Sequence, residues 1–185
     1  MSRKNGRKPE VDLTSLVLSD GEITVRPTAA TDEEQLFAWL TDPEIYRWWG
    51  GKAASREEAR RCSDVMVDDG GAASPFIVWR ANEAIGYLQV WQNNDGKAGL
   101  DMFLAPAFRG RGFGARAAGA MARYLTEAGW LHLTADPAVD NERAIKMWQK
   151  AGFEKSGRGI DIGDGPSELM VFRRGKGTGT QSPWT

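Results

Sequence analysis

The chain contains a single cysteine and a single histidine among its 185 residues. Cys62 has no partner for an internal disulfide, which fits a reducing compartment and excludes a disulfide-stapled scaffold. His132 sits between Leu131 and Leu133 with no cluster of further ligands, so it reads as structural and no metal site is expected. No apolar run approaches the roughly 20 residues that cross a bilayer. Met1 to Lys8 is basic and polar, and no apolar segment of the kind that directs secretion follows it. The expectation is a cytoplasmic protein without a membrane partner.

Hydrophobic residues make up 41% of the chain and charged residues 26%, enough apolar material for one buried core. The net charge of −1 conceals a segregation. Residues 1–10 carry Arg3, Lys4, Arg7 and Lys8 against Glu10, and residues 173–185 carry Arg173, Arg174 and Lys176 against no acid. With those seven bases and one acid set aside, residues 11–172 hold 17 basic and 24 acidic side chains, a net of −7. Such a body attracts small cations and repels nucleic acid.

Residues 1–20 and the Gly/Thr/Ser-rich stretch 175–185 read as flexible tails around one domain, 21–174. Glu22 to Arg26 alternates as a strand. Thr31-Asp32-Glu33-Glu34 and Ser55-Arg56-Glu57-Glu58 have the pattern of helix-opening capping boxes, and Pro43 starts a short helix through Trp48 and Trp49. Strands follow at Phe76–Trp79, Ile85–Trp91 and Ala98–Leu104, the last two joined through the Asn94-Asp95-Gly96 turn, as in an antiparallel meander. The period then changes to a helix ending near Ala128, a strand Leu131–Ala135, a helix Asn141–Lys150 stopped by Gly152, and strands Phe153–Arg158 and Glu168–Phe172. The fold class is α+β, a mixed sheet whose meander leads into a βαβα unit.

Between strand and helix lies Arg109-Gly110-Arg111-Gly112-Phe113-Gly114. Glycines leave backbone N–H groups uncovered, the helix N-terminus adds partial positive charge, and the arginines add full charges. These are the requirements of a pyrophosphate cradle, although glycines for packing alone would give the same turn. Gly110, Gly112 and Ala115 also satisfy the relaxed dinucleotide fingerprint, with Asp136 as a ribose-binding acid. That fold needs the turn after its first strand and several more βαβ units; here about 70 residues remain.

At these residues the sequence resembles the GNAT superfamily of acyl-CoA-dependent N-acyltransferases. Arg109-x-x-Gly112-x-Gly114 matches its pyrophosphate motif. Asp140-Asn141-Glu142-Arg143-Ala144-Ile145 and Lys150-Ala151-Gly152-Phe153-Glu154 match its later signature. Tyr46-Arg47-Trp48-Trp49-Gly50-Gly51, Ile85-Gly86-Tyr87, Gly99-Leu100-Asp101, Asp136-Pro137 and Asp164-Gly165-Pro166 make it most similar to the aminoglycoside 6′-N-acetyltransferases. Siderophore-biosynthesis acyltransferases share the tryptophan-rich segment.

The resemblance implies a GNAT-type fold with helices on both faces of the sheet and a splayed strand pair, Ala98–Leu104 and Leu131–Ala135. It implies acetyl-CoA as acyl donor, with the pantetheine arm along the backbone of Met102, Phe103 and Leu104. The pyrophosphate would lie on Arg109, Gly110, Arg111, Gly112, Phe113 and Gly114, with Asn141 and Trp148 also on the cofactor side. Asn141 serves equally well as a helix N-cap. Asp101 is mid-strand, where a charge is costly unless it faces a functional cleft, and is the candidate base; Asp136, at a strand end, is its competitor. Both are also candidate acceptor anchors, with Asp164, Trp48, Trp49 and Trp91. Trp48 and Trp49 are adjacent, so one should be core and the other line a cleft. Trp148 stands where many family members place an acidic tyrosine; indole is no acid near neutral pH. The expected partner is a small cationic amine, and the expected assembly a monomer or homodimer. Acceptors other than an aminoglycoside are a lysine-derived siderophore precursor or a peptide N-terminus. From other classes, a non-catalytic acyl-CoA sensor and a dinucleotide-binding oxidoreductase remain.

Overall fold

Burial alternates in one strand of the first half of the chain, at Ile23 and Val25, and is continuous in the next two, over Phe76, Ile77 and Val78 and from Ile85 to Val90, as in a sheet covered on both faces. A computed structural model describes residues 11–49, 55–67, 73–92, 97–158 and 166–172, without the side chains of 63–65. In it the strands are β1 (Leu18–Asp20), β2 (Ile23–Pro27), β3 (Ala73–Arg80), β4 (Glu83–Gln92), β5 (Lys97–Leu104), β6 (His132–Ala135), β7 (Phe153–Arg158) and β8 (Glu168–Phe172). The helices are α1 (Glu33–Leu40), α2 (Pro43–Trp49), α3 (Arg56–Val67), α4 (Phe113–Glu127) and α5 (Glu142–Lys150).

The strands form one sheet in the order β1-β2-β3-β4-β5-β6-β8-β7. β1 to β5 are the expected antiparallel meander. α4 then carries the chain across to β6, which runs parallel to β5. A glycine turn reached after the fifth strand, behind an antiparallel meander, is not the doubly wound parallel sheet that a dinucleotide fold requires. The topology therefore excludes the oxidoreductase reading.

Helices cover both faces. Leu88, Val90 and Leu100 join a core with Ala117, Met121 and Ile145 of α4 and α5. Tyr87 and Ile77 join a second core with Leu36, Leu40, Ile45 and Met66 of α1, α2 and α3.

The ordered fold begins earlier than the expected boundary at residue 21. Leu13 and Leu18 are both 3% exposed, and β1 adds an edge strand by pairing Leu18 with Val25. Residues 11–20 are thus part of the domain; three residues are too few for an alternating pattern to show in sequence. Residues 1–10 and 175–185 lie outside the described residues. β3 also starts before the expected Phe76, with Pro75 inside it. β2 ends at Pro27, opposite Phe76, and Thr28 N–H donates to the Pro75 carbonyl just beyond. Pro75's missing donor therefore falls where the neighbouring strand has stopped.

The capping expectations divide. Ser55 and Glu58 exchange the two bonds of a capping box, at 3.2 and 2.8 Å. At α1 the box shifts: the Asp32 carboxylate accepts from Ala29 N–H and binds Arg26 through two nitrogens, so Thr31 is not the cap.

Candidate active site

β5 pairs with β4 from Ala98 to Leu104 but with β6 only over Lys97, Ala98 and Gly99. Beyond Gly99 and Thr134 the two parallel strands separate, β6 turning to β8 through Thr134 and Ala135. This is the expected splayed pair. The backbone of β5 past Gly99 is left without a strand neighbour on its β6 side, which is where an extended arm can add as a further strand.

A cavity of ≈ 530 Å³ opens at this fork. Asp101 of β5 and Asp136, just past β6, line it together with Trp48, Trp49, Trp91, Met102, Phe103, Asn141 and Trp148. Nine of the expected site residues thus meet in one cleft. Asp164 lies outside the described residues.

The two adjacent tryptophans point differently, but both line the cleft, and Trp49 is partly buried rather than core. Trp49 packs edge-on against Tyr87 and Phe103, with ring centroids at 5.4 and 5.1 Å. Trp48 is 39% exposed and carries the Arg47 guanidinium over its ring. Phe103 belongs to this aromatic cluster through its side chain, so only its backbone is left for a cofactor.

Asp101 is largely buried, and burial pushes its carboxyl above the ordinary aspartate range. Two N–H donors oppose that push: Gln89 Nε2 at 3.0 Å and Trp91 Nε1 at 2.6 Å, both to Oδ2. The Tyr87 hydroxyl in turn donates to Gln89 Oε1 at 3.0 Å. Asp136 is raised by its own burial and then by the charge of Asp101. Tyr87 and Gln89 were not among the expected site residues. Strand alternation places 87, 89 and 91 on the face of β4 that meets 103, 101 and 99 of β5, but the register that aligns them is a property of the folded hairpin.

The glycine turn has an open conformation at the α4 N-terminus. Gly110 and Gly112 have φ of 77° and 84°, and a Cβ on either would meet nothing within 4 Å. The glycines are thus required by conformation, and the space over them is open. Gly112 caps α4 without a side-chain bond, and Arg116 N–H makes the helical bond back to the Gly112 carbonyl. The N–H groups of Phe113, Gly114 and Ala115 precede it and have no partner within the helix. Gly114 acts by closeness instead: a Cβ there would lie 3.3 Å from Met147 and 3.4 Å from Leu104.

The Arg109 side chain is engaged elsewhere than expected, while Phe113 leaves its backbone N–H at the turn as expected. Arg109 does not bring a free charge to the turn: its Nε donates to the Leu104 carbonyl at 2.9 Å and it pairs with Glu44 at 3.1 Å. Phe113 is 6% exposed in the core beneath Arg80, leaving only its N–H at the turn. Arg111 is exposed. Asn141 caps α5, accepting from Ala144 N–H at 3.1 Å, and also lines the cleft, so the cap leaves a cofactor contact open to it. Uncovered N–H groups, open glycines and an unpaired strand edge fit a pantetheine pyrophosphate.

Comparison with known proteins places this geometry. The chain is 29% identical over 174 residues to the aminoglycoside N(6′)-acetyltransferase type 1 of Klebsiella pneumoniae, covering 84% of this chain and 85% of that protein. It is 34% identical over 85 residues to a kanamycin resistance protein of Rhizobium radiobacter, covering 45% and 78%. Among solved structures it resembles AAC(6′)-Ib in complex with paromomycin and acetyl-CoA, with a TM-score of 0.72, 28% identity, and coverage of 83% of this chain and 94% of that one. Residues 22–154 match the acetyltransferase (GNAT) domain, so the chain belongs to the GNAT family of acetyltransferases, enzymes whose acyl donor is acetyl-CoA.

Proposed function

We propose that the chain is an aminoglycoside 6′-N-acetyltransferase that transfers acetyl directly to the amine within a ternary complex. The observation that carries this reading is the pair of carboxylates, Asp101 and Asp136, set in an aromatic cleft at the fork of β5 and β6. The likeness to aminoglycoside N(6′)-acetyltransferases over most of the chain supports the acceptor class.

The N–H groups of Phe113 and Gly114 hold the pyrophosphate at the α4 N-terminus, and the open edge of β5 receives the pantetheine arm. Bound acetyl-CoA supplies a thioester whose thiol, with a pKa near ~8.5, leaves without a strong side-chain acid. An amine arrives largely protonated at neutral pH and cannot attack in that form. Asp101 and Asp136 together attract the ammonium group. Asp101 takes one proton, freeing the nitrogen lone pair; the neutral amine attacks the thioester, the thiolate leaves, and the nitrogen's second proton passes to water, while Asp136 holds a further ammonium group of the polycationic acceptor near the fork. Trp48 offers a half-exposed ring to a sugar face or a second ammonium.

The test is CoA release with acetyl-CoA against aminoglycosides, polyamines, lysine-derived hydroxylamines and peptides, with the acylated position read by NMR. Preferred acetylation of the 6′-amine, with a Michaelis constant that rises with salt, is expected. Turnover confined to peptides or hydroxylamines would overturn the acceptor. In Asp101→Asn, kcat falls by ~10²–10⁴ with CoA binding intact.

A further inference from the structure

Gln89 and Asp101 are direct partners across the antiparallel pair of β4 and β5, and Trp91 faces Gly99. Gly99 brings no side chain to that face, so the Trp91 indole reaches diagonally to Asp101. Both N–H donors end on one oxygen, Oδ2, at 3.0 and 2.6 Å. Among the described residues nothing bonds Oδ1, although Asp101 lines the cleft. The orientation of the Gln89 amide is itself set. Its Oε1 accepts from the Tyr87 hydroxyl, which turns Nε2 toward the carboxylate; the flipped amide would put oxygen against oxygen. Gln89 is 9% exposed, so its bond with Tyr87 is shielded from competing water, whereas Trp91 is 42% exposed and reaches Asp101 from the cleft side.

We propose that Gln89 and Trp91 are positioning residues that clamp Asp101 through Oδ2 and present Oδ1 to the acceptor amine, with Tyr87 locking the Gln89 amide. The proposal rests on the reading of Asp101 as the base. It gives Trp91 a role different from that of a stacking surface for the acceptor. The transferred proton comes from the ammonium nitrogen and ends on Oδ1; Gln89, Trp91 and Tyr87 exchange none. The other described titratable groups of the cleft are Asp136 after β6, Tyr87 on β4 and Cys62 on α3, while α5 contributes the uncharged Asn141 and Trp148. Of these only Asp136 is an acid near the range of Asp101, and it is present in every variant below.

Trp91→Phe keeps an aromatic ring and deletes the N–H. The expected result is a kcat lower by about tenfold, a Michaelis constant within about twofold of wild type, and an acid limb of the pH–rate profile moved to higher pH. Tyr87→Phe, which removes one hydroxyl, should move the limb in the same direction by less. Unchanged kcat and acid limb with a raised Michaelis constant would make Trp91 an acceptor-binding surface and overturn the clamp. A second readout needs no acceptor: the carbon-detected NMR titration of the Asp101 carboxyl in the free protein. Its midpoint should rise in Trp91→Phe, and an unchanged midpoint overturns the clamp whatever the acceptor is. A raised midpoint in a protein that acetylates no aminoglycoside would instead refute the acceptor and leave the clamp standing. Melting temperatures of both variants, measured alongside, separate these outcomes from loss of folding.

Discussion

Asp136 titrates against the charge of Asp101. Its carboxyl is raised above the ordinary aspartate value of 3.8, first by burial and then by that neighbouring charge. Asp101 has two N–H donors to support its ionised form. The two carboxyls titrate as a coupled pair, and with both ionised the fork carries concentrated negative charge until a cation enters it.

The fork should be a source of instability in the free enzyme. An acid whose folded pKa lies above its unfolded value binds more protons when folded, across the window between the two. Its contribution to stability falls as pH rises through that window and stays low above it. Asp136→Asn should therefore melt higher than wild type at about pH 7, by ~2–4 °C for each kcal/mol of repulsion removed. The two melting curves should converge as pH falls toward 3.8. A saturating polycation should reduce the gap by stabilising wild type more. Coincident melting temperatures at every pH would show that Asp101 and Asp136 do not strain the fold.

Much of this site is written in local residue patterns, and the remainder is not. The cradle was legible because Gly110 and Gly112 adopt positive φ, a local demand that a side chain rarely meets. Asp101 was legible because a charge within Leu100-Asp101-Met102 breaks an apolar strand. Gln89 was not, since its meaning depends on lying opposite Asp101 in one register of β4 and β5. Arg109 misled for a related reason. Its charge is visible in sequence, but its partners, Glu44 at 65 residues' separation and the Leu104 carbonyl, exist only once α2 packs near the end of β5. β1 escaped notice because its three residues pair only at a sheet edge.

The cradle can be tested without an acceptor. Gly112→Val places a β-branched side chain at φ 84°, in the open space above the α4 N–H groups. Saturating CoA at about 100 times its Kd should stabilise wild type by ~2.7 kcal/mol, and the variant by little or nothing. Gly112→Asn tolerates the left-handed conformation and serves to separate backbone strain from occlusion. Equal protection of Gly112→Val and wild type in a thermal-shift series would remove the cradle from the cofactor site.

Arg109 should matter for stability more than for charge at the cofactor. Its guanidinium joins the Leu104 carbonyl to Glu44 of α2, and burial lowers its pKa despite that acid. Arg109→Ala leaves a carbonyl at the end of β5 without this donor, at a cost of ~1–3 kcal/mol. The expected result is a lower melting temperature in both the presence and absence of CoA, with the increment that CoA adds largely retained. A normal melting temperature combined with a lost CoA increment would return Arg109 to the pyrophosphate.

Trp148 decides whether the reaction uses a side-chain acid. The ring is 4% exposed, packs at 4.9 Å from Phe153 and lines the cleft where the family resemblance implies a tyrosine. Indole cannot release a proton near neutral pH, so a leaving thiolate must be stable enough to depart and be protonated by water. Trp148→Tyr restores a phenol at the position. If departure of the thiol is not limiting, kcat should change by less than about threefold, and no basic limb should appear near the phenol's ~10. The smaller ring leaves a gap against Phe153, so a drop in melting temperature is expected and is to be measured separately from kcat. Trp148→Phe, which has neither indole nor phenol, should match Trp148→Tyr in rate. A gain of about tenfold or more in Trp148→Tyr alone, with a new limb near ~10, would show that protonation of the leaving group limits the wild-type enzyme. That outcome would replace water with a missing acid as the reason for its rate.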